Sequence, residues 1–123
     1  MAPPPAANGR GWLYRFDLPS TIMEGSLGAT HASEIAFTFN SFSRPDLPGI
    51  VMHDGNDPAV VDLARKWSDT VLAFARTGDP NGGGLPEWPA YRADERRSLV
   101  LDRESYIADA SLDARQRRLW EDP

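Results

Sequence analysis

The stretch Ser98-Leu99-Val100-Leu101-Asp102 places three apolar residues in direct succession between two polar ones. Successive side chains of a β-strand point to opposite faces of the sheet, so a strand with this sequence needs apolar cover on both faces. Strands of this kind are typical of sheets that carry helices on their two sides. Residues 98–102 therefore predict a strand inside a helix-covered sheet, and with it an α/β fold.

The clearest helix of the chain precedes this strand. Asp57 suits the N-cap position, Pro58 suits the first helical position, and Gly78 follows the last turn. Spacings of four and three residues place one apolar stripe along this helix, formed by Val60, Ala64, Trp67, Val71 and Phe74. A helix is stabilised mainly by packing its apolar face, so we expect other parts of the protein to cover this stripe.

Shorter patterns occupy the N-terminal side of this helix. The alternating residues of Trp12–Phe16 predict a strand, and residues 18–30, with two glycines and a proline, predict a loop. Residues 35–39 fit either a short helix or an extended run, and we favour a helical turn. Residues 40–58 are polar and rich in proline and glycine, which predicts a long surface connection.

The C-terminal side contains fewer regular patterns. Residues 81–84 predict a flexible turn, and the following loop is expected to be extended and held by Trp88 and Tyr91. Ser111 or Asp109 is expected to cap a last short helix, Leu112 to Trp120.

The whole inventory contains only two strands, and two strands alone are marginal in water. We therefore expect one part of a larger α/β protein, with few strands, flanking helices and an incomplete sheet.

Composition excludes some classes of function. The 123 residues include 13 Lys and Arg against 18 Asp and Glu, a formal net charge of -5 at pH 7. This balance argues against nucleic acid as a partner, because phosphate backbones attract basic surfaces. The chain has no cysteine, so it has neither disulfides nor a thiolate nucleophile.

The ends and apolar runs of the chain bear on its location. No run approaches the ~18 apolar residues that predict a membrane span, and Met1-Ala2-Pro3-Pro4-Pro5 lacks the basic and apolar regions of a signal peptide. We expect no membrane association, a cytoplasmic location by default and an otherwise unknown compartment. Residues 1–10 are expected to form a flexible proline-rich leader to the segment 11–123.

Two histidines, His31 and His53, remain for acid-base chemistry. His31 lies between a glycine-containing loop and an apolar run, where a general base could reach into a cleft. Ser33 would point away from it on a helix, and Ser26 could approach it through the loop, although nothing in the spacing enforces this. His53 is predicted to be a solvated loop histidine, because a metal site needs more ligands than its neighbour Asp54 supplies. We therefore predict no metal site.

Glu34 follows His31 by three residues and could share a face with it in a helical turn. Its carboxylate could orient the imidazole, or it could bond to nearby backbone in a structural role. The spacing favours the structural role and leaves the other open.

Five separate stretches carry a resemblance to a known family. They are Tyr14-Arg15-Phe16-Asp17, Gly28 to Ile35 with Phe37 and Phe39, Trp67 to Pro80, Trp88-Pro89-Ala90-Tyr91, and Leu99-Val100-Leu101-Asp102. In this order they resemble the C-terminal portion of type B carboxylesterases, the α/β-hydrolase family that includes cholinesterases and bacterial p-nitrobenzyl esterases. The resemblance covers residues 11–121, nearly the whole chain.

The resemblance implies a role for His31. In the family, the histidine of a His-x-x-Glu/Asp-Leu/Ile pattern is the catalytic general base, and this pattern falls on His31, Glu34 and Ile35. It implies hydrolysis of small carboxylic esters through an acyl-serine intermediate, with no cofactor. The chain order of the fold is nucleophile, acid, histidine, so a C-terminal piece would carry the histidine alone.

The sequence departs from the family by lacking the other catalytic parts. Gly25-Ser26-Leu27-Gly28 does not have the Gly-x-Ser-x-Gly spacing of the nucleophile elbow, and Gly82-Gly83-Gly84 comes too late to be the oxyanion loop. We therefore expect a partial enzyme, inactive alone, whose partner is the missing N-terminal part. The alternative is a non-catalytic remnant or packing module that binds a partner through exposed apolar surface.

Overall fold

The computed structural model describes residues 9–43, 52–109, 112 and 114–121, without the side chains of Ile22 and Ser43. Its elements in chain order are β1 (Tyr14–Phe16), a 3-10 turn (Ile22–Gly25), α1 (Ile35–Thr38), a second 3-10 turn (Ser41–Ser43), α2 (Pro58–Thr77), β2 (Ser98–Leu101), β3 (Tyr106–Ala108) and α3 (Ala114–Glu121). The three strands form one sheet with β2 in the centre. No described helix has both the length and the apolar character needed to cross a bilayer.

The central strand β2 is buried along its whole length, as its sequence predicts. It pairs with β1 in parallel, Leu99 opposite Tyr14, and with β3 in antiparallel, Leu99 opposite Ile107. Parallel neighbours need a crossover connection, and α1 and α2 lie in the one between β1 and β2. The third strand, β3, was not predicted, because three residues are too few to show a periodicity.

The predicted ends of α2 are confirmed. The Asp57 side chain accepts a hydrogen bond from the Ala59 amide at 3.0 Å, and Gly78 ends the helix with a left-handed φ of 78°. Its buried residues are Val60, Leu63, Ala64, Trp67 and Thr70. Phe74 was expected in this stripe but is 50% exposed. A 20-residue helix is about 30 Å long, more than twice the length of these strands, so its last turns extend beyond full cover.

The main core lies between the sheet and the two helices that follow β1. It consists of Leu18, Phe37, Val60, Leu63, Ala64, Trp67, Trp88, Leu99 and Leu101. Trp67 also donates from its indole nitrogen to the Thr38 hydroxyl at 3.0 Å, which joins α2 to α1. The expected cover of the α2 stripe is therefore confirmed at Trp67, and Trp88 belongs to the same core.

Two indole side chains bind the loop before β2 to the residues that directly precede β1. Trp88 donates from its side chain to the Leu13 carbonyl at 3.1 Å, and Trp12 donates to the Trp88 carbonyl at 3.2 Å. Further along the loop, the Tyr91 amide donates to the Gly11 carbonyl at 2.7 Å. The prediction that Trp88 and Tyr91 hold this loop is confirmed, although Tyr91 acts through its backbone.

The last helix begins later than predicted. Leu112 lies in a turn, and the helix starts at Ala114. The Leu112 amide donates to the Asp109 carbonyl at 3.2 Å, so backbone contacts form the turn before the helix. The candidate cap Ser111, most of the leader and residues 44–51 of the long connection lie outside the described residues.

The glycine-rich turn after α2 packs against that helix. A Cβ at Gly83 would lie 2.8 Å from the Thr70 hydroxyl oxygen, 3.1 Å from the Thr70 nitrogen and 3.2 Å from the Lys66 carbonyl oxygen. The Thr70 hydroxyl is also held by the Lys66 carbonyl at 2.7 Å, so it cannot move away freely. Glycine is therefore needed here for close approach.

We predict that Gly83→Ala lowers the free energy of unfolding by about 1–3 kcal/mol, the usual cost of overpacking. Urea denaturation followed by Trp fluorescence measures this change. Glu87→Ala, at an exposed position of the neighbouring loop, is the matched control. Equal stability of Gly83→Ala and the control would contradict the close packing.

Asp57, the N-cap residue of α2, also forms an ion pair. Arg103, in the turn between β2 and β3, donates to both carboxylate oxygens of Asp57. The Arg103 guanidinium first, and the Ala59 amide second, lower the pKa of Asp57 below its ordinary value of 3.8. In acid the unfolded chain therefore binds a proton at this position before the folded chain does.

We predict that Asp57 contributes stability that is complete above its ordinary pKa and is lost as the pH falls below about 4. Asp57→Asn retains a good N-cap residue but loses the charge, so its free energy of unfolding should fall less between pH 5 and pH 2.5 than that of the parent chain. Asp54→Asn, which removes a carboxylate whose described bond is to the Asn56 amide, is the control. An unchanged pH dependence in Asp57→Asn would contradict the role of the pair.

Candidate functional site

The candidate site is built on the connection between β1 and α1, residues 17–34, which we call the histidine loop. Near its base the Ser20 amide donates to the Gly28 carbonyl at 3.0 Å. Gly25 and Gly28 adopt left-handed φ values of 83° and 66°, which glycine tolerates without a steric cost. The loop therefore turns back on itself and returns the chain toward β1 just before His31.

A short turn, residues 30–34, presents His31. The Thr30 amide donates to the Ser33 hydroxyl at 3.1 Å, and the Ser33 amide donates to the Thr30 carbonyl at 3.2 Å. Ala32 adopts a left-handed φ of 66°, which costs an L-residue about 1–2 kcal/mol. These contacts make a compact turn with His31 at its exposed outer side.

The imidazole of His31 is free of local partners. Among the residues that the structure describes, none forms a hydrogen bond or an ion pair with it. The nearby serines are engaged elsewhere: the Ser26 hydroxyl donates to the Met23 carbonyl at 2.7 Å, and the buried Ser33 hydroxyl lies 3.1 Å from that of Thr30. A ring with both nitrogens available can exchange a proton with a group brought to it from outside this segment.

Glu34 lies on the side of the turn that faces β1. Burial first, and the Glu34 carboxylate second, raise the pKa of the Tyr14 hydroxyl above its ordinary value of 10.0. The Tyr14 ring packs at 4.6 Å from that of Trp67, which anchors it to the core. Within the described ranges the Glu34 carboxylate makes no hydrogen bond to His31. Its one evident effect is on Tyr14.

The prediction for His53 is wrong. This residue is 2% exposed, and its Nε2 lies 3.1 Å from the Leu18 carbonyl oxygen. Its ring meets those of Phe37 and Phe16 edge-on, at 5.0 Å and 5.7 Å. The polar neighbours Asp54 and Asn56 indicated a solvated loop, whereas the burial is decided by two distant rings. The apolar run before His53, Ile50 to Met52, was the one local signal of a buried segment.

Other types of site are not formed in the described part of the chain. No group of three or more His, Asp or Glu side chains within it is placed to hold a metal ion. A shallow cavity of about 390 Å³ lies between α2 and the turn after β2, and its rim carries charges of both signs from Asp62, Lys66, Asp102 and Arg103. It lies outside the histidine loop and has no buried polar group aimed into it.

Comparison with known proteins assigns the chain to a family. The sequence model of the family described as "Carboxylesterase family" matches residues 5–120. The chain belongs to the carboxylesterase family. It is 42% identical over 96 residues to phenmedipham hydrolase of Pseudarthrobacter oxydans, covering 74% of this chain and 18% of that protein. It is 40% identical over 97 residues to carboxylesterase 4A of Bos taurus, covering 74% and 16%.

Solved structures agree with this assignment. Carboxylesterase EST55 of Geobacillus stearothermophilus matches with a TM-score of 0.71 and 35% identity, over 89% of this chain and 21% of that one. An esterase of Clostridium hathewayi that can hydrolyze aliphatic aromatic polyesters matches with a TM-score of 0.74 and 27% identity, over 94% and 22%. The chain thus has the fold of one portion of an α/β-hydrolase esterase and spans about a fifth of the length of these relatives. The expected fold class, an α/β piece with an open sheet, is confirmed.

We predict that Glu34→Gln lowers the pKa of Tyr14 toward 10.0 without reaching it, because burial, the larger cause, remains. An ultraviolet difference titration of the tyrosines measures this, with Tyr14→Phe identifying the Tyr14 transition. Glu24→Gln, at an exposed position elsewhere in the histidine loop, is the control. An unchanged Tyr14 transition in Glu34→Gln would contradict the proximity of the Glu34 carboxylate to the Tyr14 hydroxyl.

Proposed function

We propose that this chain is the part of a carboxylic ester hydrolase that supplies the catalytic histidine, His31. Three observations support the proposal: the family, the match of His31 and Glu34 to its histidine pattern, and the exposed imidazole at the tip of a compact turn. The 123 residues contain no Gly-x-Ser-x-Gly, so the serine nucleophile, the orienting acid and the oxyanion donors come from outside them.

The chemistry of His31 follows from its free imidazole. In the completed site one ring nitrogen takes the proton of the serine hydroxyl as its oxygen attacks the ester carbonyl, and the imidazolium then gives that proton to the departing alkoxide. This leaves an acyl-serine and a free alcohol. The neutral ring next takes a proton from water, whose oxygen attacks the acyl carbon, and returns it to the serine oxygen as the acid leaves. No cofactor enters this cycle.

The partner in this proposal is the remainder of the hydrolase domain. β1 is an edge strand of the described sheet, so its outer backbone groups can pair with a further strand. Exposed apolar side chains lie nearby in sequence on the histidine loop and α1, with Met23, Ile35 and Phe39 exposed by 70%, 53% and 76%. A sheet that continues beyond β1 would bring other catalytic groups toward the loop that follows this strand.

Glu34 has a structural role in this proposal. Its carboxylate acts on Tyr14 of β1, and the Thr38 amide donates to its backbone carbonyl at 2.9 Å. Glu34 thereby connects the turn that carries His31 both to β1 and to α1. The orienting carboxylate for the imidazole would come from outside the segment.

The exposed apolar residues also support a second candidate, a non-catalytic module that binds a protein partner. Trp120 and Leu119 on α3 are 89% and 76% exposed. Neighbouring large apolar side chains that are this exposed on a protein surface are typical of an interaction site. A chain that folds cooperatively and binds a partner, yet does not restore ester hydrolysis when joined to a hydrolase, would favour this candidate.

We predict negligible hydrolysis of p-nitrophenyl butyrate by the isolated 123-residue chain, because an imidazole alone supplies no nucleophile or oxyanion hole. The release of p-nitrophenol over the buffer rate measures it. Turnover by the isolated chain that disappears in His31→Ala would overturn the proposed division of the site.

We predict that the chain becomes active when it replaces the matched segment of phenmedipham hydrolase. In that chimera His31→Ala should lower kcat by about six orders of magnitude, the loss that removal of a triad histidine causes. Glu87→Ala, on an exposed loop, is the matched control and should leave the rate unchanged. A folded, active chimera whose activity is unchanged by His31→Ala would contradict the proposed role of His31 as general base.

A further inference from the structure

His53 is a buried imidazole that the proposed reaction does not use. Its Nε2 faces the Leu18 carbonyl oxygen at 3.1 Å. A carbonyl only accepts, so the proton of this hydrogen bond is on Nε2. Leu18 stands two residues after the end of β1, where the histidine loop departs from the sheet.

Met52, the preceding residue, contacts the same end of the loop. Its carbonyl accepts a hydrogen bond from the Thr21 amide at 3.0 Å and another from the Ser20 hydroxyl. Met52 and His53 therefore make three hydrogen bonds to the start of the histidine loop, each to a residue more than 30 positions away in sequence. We name these two residues the clip.

The clip also contacts the other end of the loop. The Met52 sulfur lies 3.8 Å from the Ser33 hydroxyl and 3.9 Å from that of Thr30, the two residues that form the turn around His31. The departing and returning ends of the loop thus meet on one short segment. Across the loop itself, the Ser20–Gly28 bond is the backbone link between these ends.

The position of the clip is set by the core. The His53 ring packs edge-on against Phe16 of β1 and Phe37 of α1, and those two rings are 5.0 Å apart. Phe37 is fully buried. These rings belong to the two elements that flank the histidine loop in sequence. By packing against both, the clip fixes the position of the loop relative to β1 and α1. Ordering so long a loop costs conformational entropy, which such contacts offset.

We propose that His53 is a positioning residue: its Nε2–H bond to the Leu18 carbonyl, acting with Met52, sets where the histidine loop holds His31. The role of His31 as general base rests on the proposed function. The geometry of the clip does not, so the two can be tested apart.

Two variants separate the donor from the ring. His53→Phe keeps an aromatic ring and removes the donor, whereas His53→Gln keeps an amide donor near the position of Nε2 and removes the ring. In the full chain, His53→Phe should speed hydrogen exchange of the Thr21 amide at least ~10-fold relative to the α2 amides and shift the His31 imidazole resonances. His53→Gln should restore both in part. A uniform loss of protection that includes α2 would indicate a general role in stability and would overturn the proposal.

A measurement on the parent chain keeps the proposal testable if His53→Phe does not fold. Long-range proton–nitrogen spectra should show His53 as the Nε2–H tautomer and His31 as a ring exchanging with solvent. A His53 ring protonated on Nδ1 alone would overturn the proposal. So would normal Thr21 protection and unshifted His31 resonances in a folded His53→Phe.

The chimera supplies a kinetic readout. There His53→Phe should lower kcat about 10-fold to 100-fold with KM little changed, because a small displacement of a general base slows proton transfer more than binding. If His53→Phe changes neither the hydrogen exchange of Thr21 nor the His31 resonances, the clip hypothesis is wrong, and the role of His31 as the base is unaffected. Insensitivity of the chimera to His31→Ala would end the proposed function while leaving the clip intact.

Discussion

Burial of β2 on both of its faces is the constraint on which the rest of the molecule depends. Leu99, Val100 and Leu101 are fully buried, and Leu99 and Leu101 belong to the main core. A strand so apolar is stable only between two neighbours and under helices. β1 and β3 supply the neighbours, and α1 and α2 supply the cover on the side of the core. The long crossover between β1 and β2 is therefore a requirement of the strand, and the candidate site is built within that crossover.

The parallel pairing then decides where the histidine loop lies. In α/β sheets, sites form beyond the carboxyl ends of the strands, where the loops are free to vary. The histidine loop leaves β1 at Asp17, whose amide is still bonded to the Leu101 carbonyl at 2.8 Å. The sheet thus fixes the first residue of the loop, and the turn around Ser33 presents His31. Packing and the proposed function use different residues of one short segment: Phe37 is buried in the core, while His31 remains exposed.

The parts of the fold that were predictable from sequence are those governed by local rules. Asp57, Pro58 and Gly78 mark the ends of α2 because caps and proline act through neighbouring backbone groups. The buried strand β2 was predictable because three apolar residues in succession leave neither face of a strand polar. β3 and the start of α3 were missed or misplaced, since a three-residue strand exists only through its pairing with β2. The role of His31 stays a prediction that rests on the family pattern around it, because local spacing alone did not distinguish it from a surface histidine.

The two histidines show why burial is the hardest property to predict. His53 stands among Asp54, Gly55 and Asn56, and His31 among small and apolar residues, so local polarity suggests that His53 is the exposed one. The structure reverses this, because Phe16 and Phe37 come from elements far from residue 53 in sequence, and their rings enclose it. An enclosed imidazole needs a partner for its N–H, and the Leu18 carbonyl provides one at the start of the histidine loop. The rings that bury His53 thus also place its N–H at the start of the histidine loop, whose other end presents the exposed His31.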